Sequence, residues 1–382
     1  MYDELTAFIQ SWFGTRDFIP LHEPRFSGRE REYVLDAIDS TFVSSVGAYV
    51  DRFEAELAAW LDVPRAVAAV NGTAALQVAL RLAGVKPDDE VITQPLTFVA
   101  TANAIAYNGA HPVFLDVDRD TLGLSPLAVN NFLTGHAELR EKGVFNRRTG
   151  KRIAAILPMH TFGHPCRIEQ LCVLGKEWGI PVVEDAAEAL GSRAGTRHCG
   201  TFGLMGVYSF NGNKTITCGG GGAISSAEVE LAARAKHLTT TAKVPHPWAF
   251  VHDEVGYNFR MPNLNAALAC AQLERLPALL ADKRLLAEAY REYFSGCDWC
   301  DFLREPEGCT SNYWLNAVIL RDPGLRNEVL EETNRRGIMT RPIWRLMNEL
   351  EMYRHCQTDS LENSRWLEQR VVNLPSSPRA GR

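Results

Sequence analysis

Apolar positions along this chain follow two periods, and the periods alternate. Near the start, Leu5, Phe8, Ile9, Trp12 and Phe13 share one face of a short amphipathic helix, followed by an extended link to Pro20. The spacing of Tyr33, Val34, Ala37 and Ile38 predicts a helix within Ser27 to Ile38, and Phe53, Leu57 and Trp60 predict another over Val50 to Leu61. A polar, β-prone loop, Thr41 to Gly47, separates them. Compact apolar runs then read as strands: Ala66–Val70, Glu90–Thr93, Val113–Asp116, Ile153–Pro158, Ile180–Glu184 and Val207–Phe210. Helices fall between them, from Ala74 through Leu82, from Ala100, over Ile168–Trp178 and over 228–237. Strands of this kind are buried on both faces, and their alternation with helices predicts an α/β domain with a mainly parallel sheet. Lys243 to Trp248 reads as a loop. A helix is expected from Pro262 to Leu276, with more helix following to about Tyr293. The last ninety or so residues, with a strand over Trp314–Leu320 and a helix over Arg326–Arg336, predict a smaller α/β domain. The expected division is 1–245 for the N-terminal extension and large domain, and 246–382 for the smaller one.

Composition narrows the function classes. Hydrophobic residues at 46% and charged residues at 23% suit a soluble globular protein, and 382 residues allow two domains. A net charge of −6 argues against a nucleic-acid partner. The chain starts without a basic, apolar leader, and no apolar run approaches the ~20 residues of a membrane span. The expectation is a cytoplasmic protein with no membrane partner. Nine scattered cysteines suit reduced thiols, and the Cys297–Cys300 pair with Cys309 lacks a four-ligand zinc pattern, so no metal is expected.

The candidate chemistry gathers around Lys214, which follows an apolar strand and precedes Gly219 to Gly222. Those glycines let the backbone pass close to something bulky. A phosphate-gripping P-loop has its glycines before the lysine, so that reading fails. Asp185 ends an apolar strand, where a carboxylate needs a cation or a capping duty. Gly72-Thr73 opens a helix, a natural anion site. His160 also falls at a strand end, where ligands of such sheets collect. Pyridoxal phosphate (PLP) needs a lysine, a carboxylate for its ring nitrogen, a phosphate cup and a ring to lie against. Lys214, Asp185, Gly72-Thr73 with Ser209, and Phe98 are candidates in that order, although a helix-capping Asp185 remains open.

The segments Asn71-Gly72-Thr73-Ala74-Ala75-Leu76, Thr97-Phe98-Val99-Ala100-Thr101, Glu184-Asp185-Ala186-Ala187-Glu188-Ala189, Ser209-Phe210 with Lys214, and Gly256-Tyr257-Asn258-Phe259-Arg260 occur in that order. Together they resemble the DegT/StrS family of PLP-dependent nucleotide-sugar aminotransferases, from about Pro20 to the end. The resemblance implies a fold-type I aminotransferase acting as a homodimer with shared active sites. It implies that Lys214 binds the cofactor covalently and then moves a proton, and that Asp185 keeps the ring nitrogen protonated. Thr73, Ser209 and the Gly72 backbone would hold the phosphate, Phe98 would lie against the ring, and Asn258 would reach the neighbouring subunit's cofactor phosphate. Glu188 departs from the Gln or His of many relatives; a carboxylate there would repel the cofactor's 3′-oxygen unless protonated or turned away. Phe18-Ile19-Pro20-Leu21-His22-Glu23-Pro24, Phe42-Val43-Ser44-Ser45-Val46-Gly47 and Asn373-Leu374-Pro375-Ser376-Ser377-Pro378 resemble the legionaminic acid-type branch. That implies amination at C4 of a UDP-linked 2-acetamido-4-keto-6-deoxy sugar, with glutamate as donor and 2-oxoglutarate as its product, for surface glycan or nonulosonic acid synthesis. Ser44, Ser45, Gly47, His160 and Arg341 are the candidates for the sugar or nucleotide. The alternatives are a GDP- or dTDP-linked sugar, amination at C3, or a non-catalytic protein that kept the fold.

Overall fold

The computed structural model describes residues 1–379. Seven strands, each apolar enough to be covered on both faces, form its central sheet: β1 (Arg65–Ala69), β2 (Glu90–Thr93), β3 (His111–Phe114), β4 (Ile153–Leu157), β5 (Val183–Asp185), β6 (Met205–Ser209) and β7 (Gly222–Ser226). The order is β3-β2-β4-β5-β6-β7-β1, with β4 and β5 joined through the parallel bridges Ile156–Val182 and Met159–Asp185. Six strands run in one direction; β7 alone is antiparallel to its neighbours β6 and β1. The sheet is therefore mainly parallel, and the carboxyl ends of β1, β2, β4, β5 and β6 share one edge.

Helices cover both faces. On one side α2 (Glu30–Asp39) and α3 (Ala48–Leu61) pack with the first half of a long helix, joining Phe53, Leu57, Tyr208, Phe210 and Leu276 in one core. The first helix, α1 (Tyr2–Phe13), does not join this core. On the opposite face α4 (Gly72–Leu82) presents Leu76, Val78 and Ala79 to Val91, Val183, Val207 and Ile224. The helices α5 (Val99–Tyr107), α6 (Pro126–His136), α7 (Ile168–Trp178) and α8 (Val229–Thr239) complete the layers. Each large aliphatic side chain fully buried here contributes about 1.5–3 kcal/mol.

The long helix α9 (Asn263–Tyr293) passes through Pro277 without ending. Its C-terminal part enters a second core, where Leu286, Ala287 and Tyr290 meet Leu5 and Ile9 of α1. That core also takes Val318, Leu320, Val372 and Leu374 from a four-stranded antiparallel sheet, β8 (Cys300–Phe302), β9 (Asn316–Leu320), β10 (Arg341–Pro342) and β11 (Val371–Leu374), in the order β8-β9-β11-β10. The expected division at residue 245 does not coincide with these cores. The N-terminal helix belongs to the smaller layer, and the change of core falls inside α9.

Other differences are local. Helix α6 and the hairpin of Ala137–Arg140 with Gly143–Asn146 occupy a stretch for which no element is expected from the apolar pattern. Its start carries a helix signal nonetheless: Ser125 accepts from the Ala128 N–H, and Pro126 follows it. The loop after α8 contains a short hairpin, Lys243–Val244 against Val251–His252. No helix among the described residues is long and apolar enough to cross a membrane.

Candidate active site

The strand ends bring the candidate chemistry together because the sheet's register does. Asp185 closes β5 opposite Val207 of β6, and the chain then leaves β6 through Ser209 into the turn that carries Lys214. The Lys214 side chain is 13% exposed, and its ammonium donates to Glu188 Oε1 at 3.2 Å. Its nitrogen also lies 4.0 Å from the centre of the Trp314 ring, a cation–π contact. The Trp314 indole N–H donates to the carbonyl of Asn213 at 2.7 Å, fixing the backbone next to Lys214.

The anion site is built at the start of α4. Asn71 caps that helix by accepting from the Ala74 N–H at 2.8 Å, so Gly72 and Thr73 stand in the first turn, where amides lack intrahelical partners. A side chain on Gly72 would come within 3.0 Å of Ser209 Cβ, so this glycine and Ser209 close one wall together. The last glycine of the run answers a neighbouring need: a Cβ on Gly222 would meet the backbone of Asn71 at 2.4 Å. The bulky object that β7 must pass is the start of α4 itself. Phe98, 50% exposed at the start of α5, forms the opposite wall. The cavity between them, about 240 Å³, is lined by Gly72, Thr73, Phe98, Asp185, Glu188, Ser209 and Lys214.

Burial shapes the acids. Asp185 is buried, and desolvation pushes its carboxyl above the ordinary carboxylate range. The Thr101 hydroxyl, donating to Oδ2 at 2.7 Å, and the Ala187 N–H, donating to Oδ1 at 3.1 Å, pull the other way. Asp185 does not cap a helix with these bonds; it waits on a cavity wall with donors but without an ion-pair partner among the described residues. Glu188 is pushed up to about 7, chiefly by desolvation, against the pull of Lys214 and of the Phe162 N–H that donates to Oε2 at 2.9 Å. Both escapes from repulsion are thus present: the carboxyl holds its proton to near neutrality, and its oxygens turn to Lys214 and Phe162.

These residues fit a phosphorylated pyridine aldehyde. A cavity-lining amine, a buried carboxylate, a helix start cleared by a glycine, and hydroxyls at Thr73 and Ser209 supply its separate needs.

Other expected residues are not brought in. His160 does not reach the cavity. It is fully buried, accepts from the Cys166 N–H at Nδ1 and meets Glu184 at 3.0 Å through Nε2. The Glu184 carboxylate is itself held by the amides of Gly200, Phe202 and Gly203, so His160 is a core histidine and its substrate role is withdrawn. Arg341 is exposed on β10 and donates to Asn334 and to the Thr340 carbonyl, away from the cavity. Ser44, Ser45 and Gly47 lie in a loop tied to the start of α9: the Asn263 amide nitrogen donates to the Phe42 carbonyl, and the Asn263 backbone N–H to that of Ser44. A Cβ on Gly47 would strike the Asn263 side chain at 2.3 Å, so this glycine serves that packing. Within one chain neither Arg341 nor this loop lines the cavity. Asn258 is exposed, its amide oxygen accepting from Arg260 at 3.0 Å, and it too lies outside this chain's cavity. Sequence reasoning missed Thr101 as the partner of Asp185, Met159 and Asn211 on the cavity lining, and Trp314 over Lys214. Trp314 comes from the smaller layer, and no local pattern links it to Lys214.

A model of the DegT/DnrJ/EryC1/StrS aminotransferase family matches residues 24–382. A GDP-perosamine synthase of Escherichia coli O157:H7 is 34% identical over 363 residues, covering 94% of each chain. EpsN of Bacillus subtilis (strain 168), named as a pyridoxal phosphate-dependent aminotransferase, is 35% identical over 94% of this chain and 90% of its own. The solved structure of DesI in the presence of its TDP-sugar product is 29% identical and superposes with a TM-score of 0.82, covering 96% of this chain and 90% of the other.

Proposed function

The chain belongs to the DegT/DnrJ/EryC1/StrS aminotransferase family and is a PLP-dependent aminotransferase, and on that premise we propose that it aminates C4 of a nucleotide-linked 4-keto-6-deoxy sugar, with glutamate as donor and 2-oxoglutarate as product. The observation that carries this reading is the cavity that joins Lys214, Asp185 and the start of α4. The relatives add the substrate class: one is named for a GDP sugar, and the DesI structure contains a TDP sugar.

When bound, PLP supplies an electron sink for the carbon that exchanges its amino group. Lys214 is the residue we assign to hold the cofactor and to carry the proton to and from that carbon. Asp185 would face the ring nitrogen, its carboxylate kept in place by Thr101 and Ala187. Gly72, Thr73 and Ser209 would bind the phosphate at the start of α4, and Phe98 would shield the ring from solvent. Glu188, with its proton held to about 7, can face the cofactor's 3′-oxygen as a donor below that pH. We further propose a homodimer in which Asn258 reaches the other subunit's phosphate. Support comes from the exposed apolar hairpin just before it, with Trp248 82% and Phe250 81% exposed. We also propose a cytoplasmic location, in keeping with an odd count of nine cysteines scattered along the sequence.

For the sugar, the likeness of Phe18–Pro24 and Phe42–Gly47 to the legionaminic acid-type branch favours a UDP-linked 2-acetamido sugar for surface glycan or nonulosonic acid synthesis. The GDP-perosamine synthase relative favours a GDP-linked sugar as the second reading. Assaying UDP-, GDP- and dTDP-linked 4-keto sugars side by side decides between them. A preference for GDP or dTDP refutes the first choice, and refusal of all three refutes the sugar class.

A further inference from the structure

A buried cation that the reaction does not use lies behind Lys214. Lys283, on α9, is fully buried, and its Nζ donates to the carbonyls of Ser376 at 2.6 Å and Trp314 at 3.1 Å. Among the described residues no carboxylate comes within ion-pair distance of it. The acid whose charge reaches it, Asp282, is engaged by Arg379. Burial pulls the Lys283 ammonium down to about 7, the sign of an expensive place for a charge. A methionine would fill the same length at lower cost, so the ammonium is there for what it bonds. It joins the C-terminal stretch to the backbone of Trp314, and Trp314 is held at two further points: its N–H donates to Asn312 Oδ1 at 2.8 Å, and its indole N–H to the Asn213 carbonyl at 2.7 Å. The ring so fixed is the one that lies 4.0 Å from the Lys214 nitrogen. His22, on the segment that precedes α2, also faces this region: its ring nitrogens are buried without partners, and the charges of Lys283, Lys214 and Arg25 all reach it.

We propose that Lys283 is a positioning residue for Lys214, acting through Trp314: the buried ammonium anchors the tryptophan whose ring caps the Lys214 amine and whose indole N–H fixes the adjoining backbone. The proposal rests on the reading of Lys214 given above and deepens it. Lys283 touches neither substrate nor cofactor. Its effect is to keep the amine on one line of approach, between the indole face and Glu188.

The test uses the full-length holoenzyme and its visible absorbance band, whose change with pH follows the proton on the Lys214 nitrogen. Lys283→Met should free the Trp314 carbonyl and let its backbone shift, displacing the ring from the Lys214 nitrogen, weakening the cation–π contact and moving the midpoint of that change down by about half a pH unit. The single-turnover rate should fall about tenfold with little change in KM for the amino donor. Lys283→Arg, which keeps a donor at the site, should restore part of both. A midpoint that stays in place or moves up overturns the proposal; an upward shift would mean that Lys283 acts by charge alone. Should Lys283→Met fail to fold, Trp314→Phe carries the test, since it leaves the anchored backbone and removes the indole. It should give the same downward shift, and an unmoved midpoint again overturns the proposal. In cofactor-free protein, the rate at which an amine-selective reagent modifies Lys214 should rise in both variants. If every keto sugar is refused while the midpoint shifts as expected, the substrate reading fails and the positioning role stands.

Discussion

Replacing Glu188 by glutamine should flatten the pH dependence of the cofactor-free protein's stability. The side chain is 1% exposed and is pushed from an ordinary 4.5 to about 7. Below 4.5 the carboxyl is protonated in folded and unfolded chains alike, and it contributes no pH dependence. As pH rises from 4.5 toward 7 the unfolded chain releases this proton while the folded one keeps it. Stability is therefore present at low pH and lost as pH climbs through the folded value, at up to about 1.4 kcal/mol per pH unit. Across the whole gap the loss amounts to about 3 kcal/mol, and above pH 7 it is constant. Glutamine does not titrate, and its carbonyl can still accept from the Phe162 N–H. Urea unfolding of wild type and Glu188→Gln across this range should show wild type losing about 3 kcal/mol relative to the variant as pH rises. Parallel curves would refute the reasoning. A wild type that gains on the variant with rising pH would mean that pairing with Lys214 outweighs burial.

Further outcomes follow from the same geometry. Thr101→Val keeps the shape but removes one of the two donors to Asp185, and single-turnover transamination should slow about tenfold; an unchanged rate would remove Thr101 from the account. Gly72→Ala places a methyl within 3.0 Å of Ser209 Cβ, so the variant should retain PLP about tenfold less tightly in equilibrium dialysis; unaltered retention would mean the start of α4 is not the phosphate cup. Mixing inactive Lys214→Ala and Asn258→Asp subunits should recover part of the activity, because each mixed dimer regains one intact site. Proven exchange without recovery would defeat the shared site.

Much of the site was legible because its parts are local. A buried strand ending in Asp185, a Gly-Thr helix start and a lysine after a strand are each short patterns, and the parallel sheet sets their ends side by side. The sheet itself was readable from six apolar runs, whereas β7 hid behind four glycines, the last of which, Gly222, clears the Asn71 backbone. What escaped depends on distant packing. Trp314 reaches Lys214 from the smaller layer, and α1 joins that layer rather than the large domain. Position at a strand end also says nothing about which way a side chain turns. Asp185 faces the cavity, while His160, at the end of the neighbouring strand, faces Glu184 and the core.

Borohydride reduction of the holoenzyme, followed by peptide mass mapping, tests the central claim most directly. Reduction makes the bond between PLP and its lysine permanent. The account predicts the added mass on the peptide that contains Lys214 and nowhere else. Label on another lysine, or holoenzyme that releases all its cofactor after reduction, would contradict it.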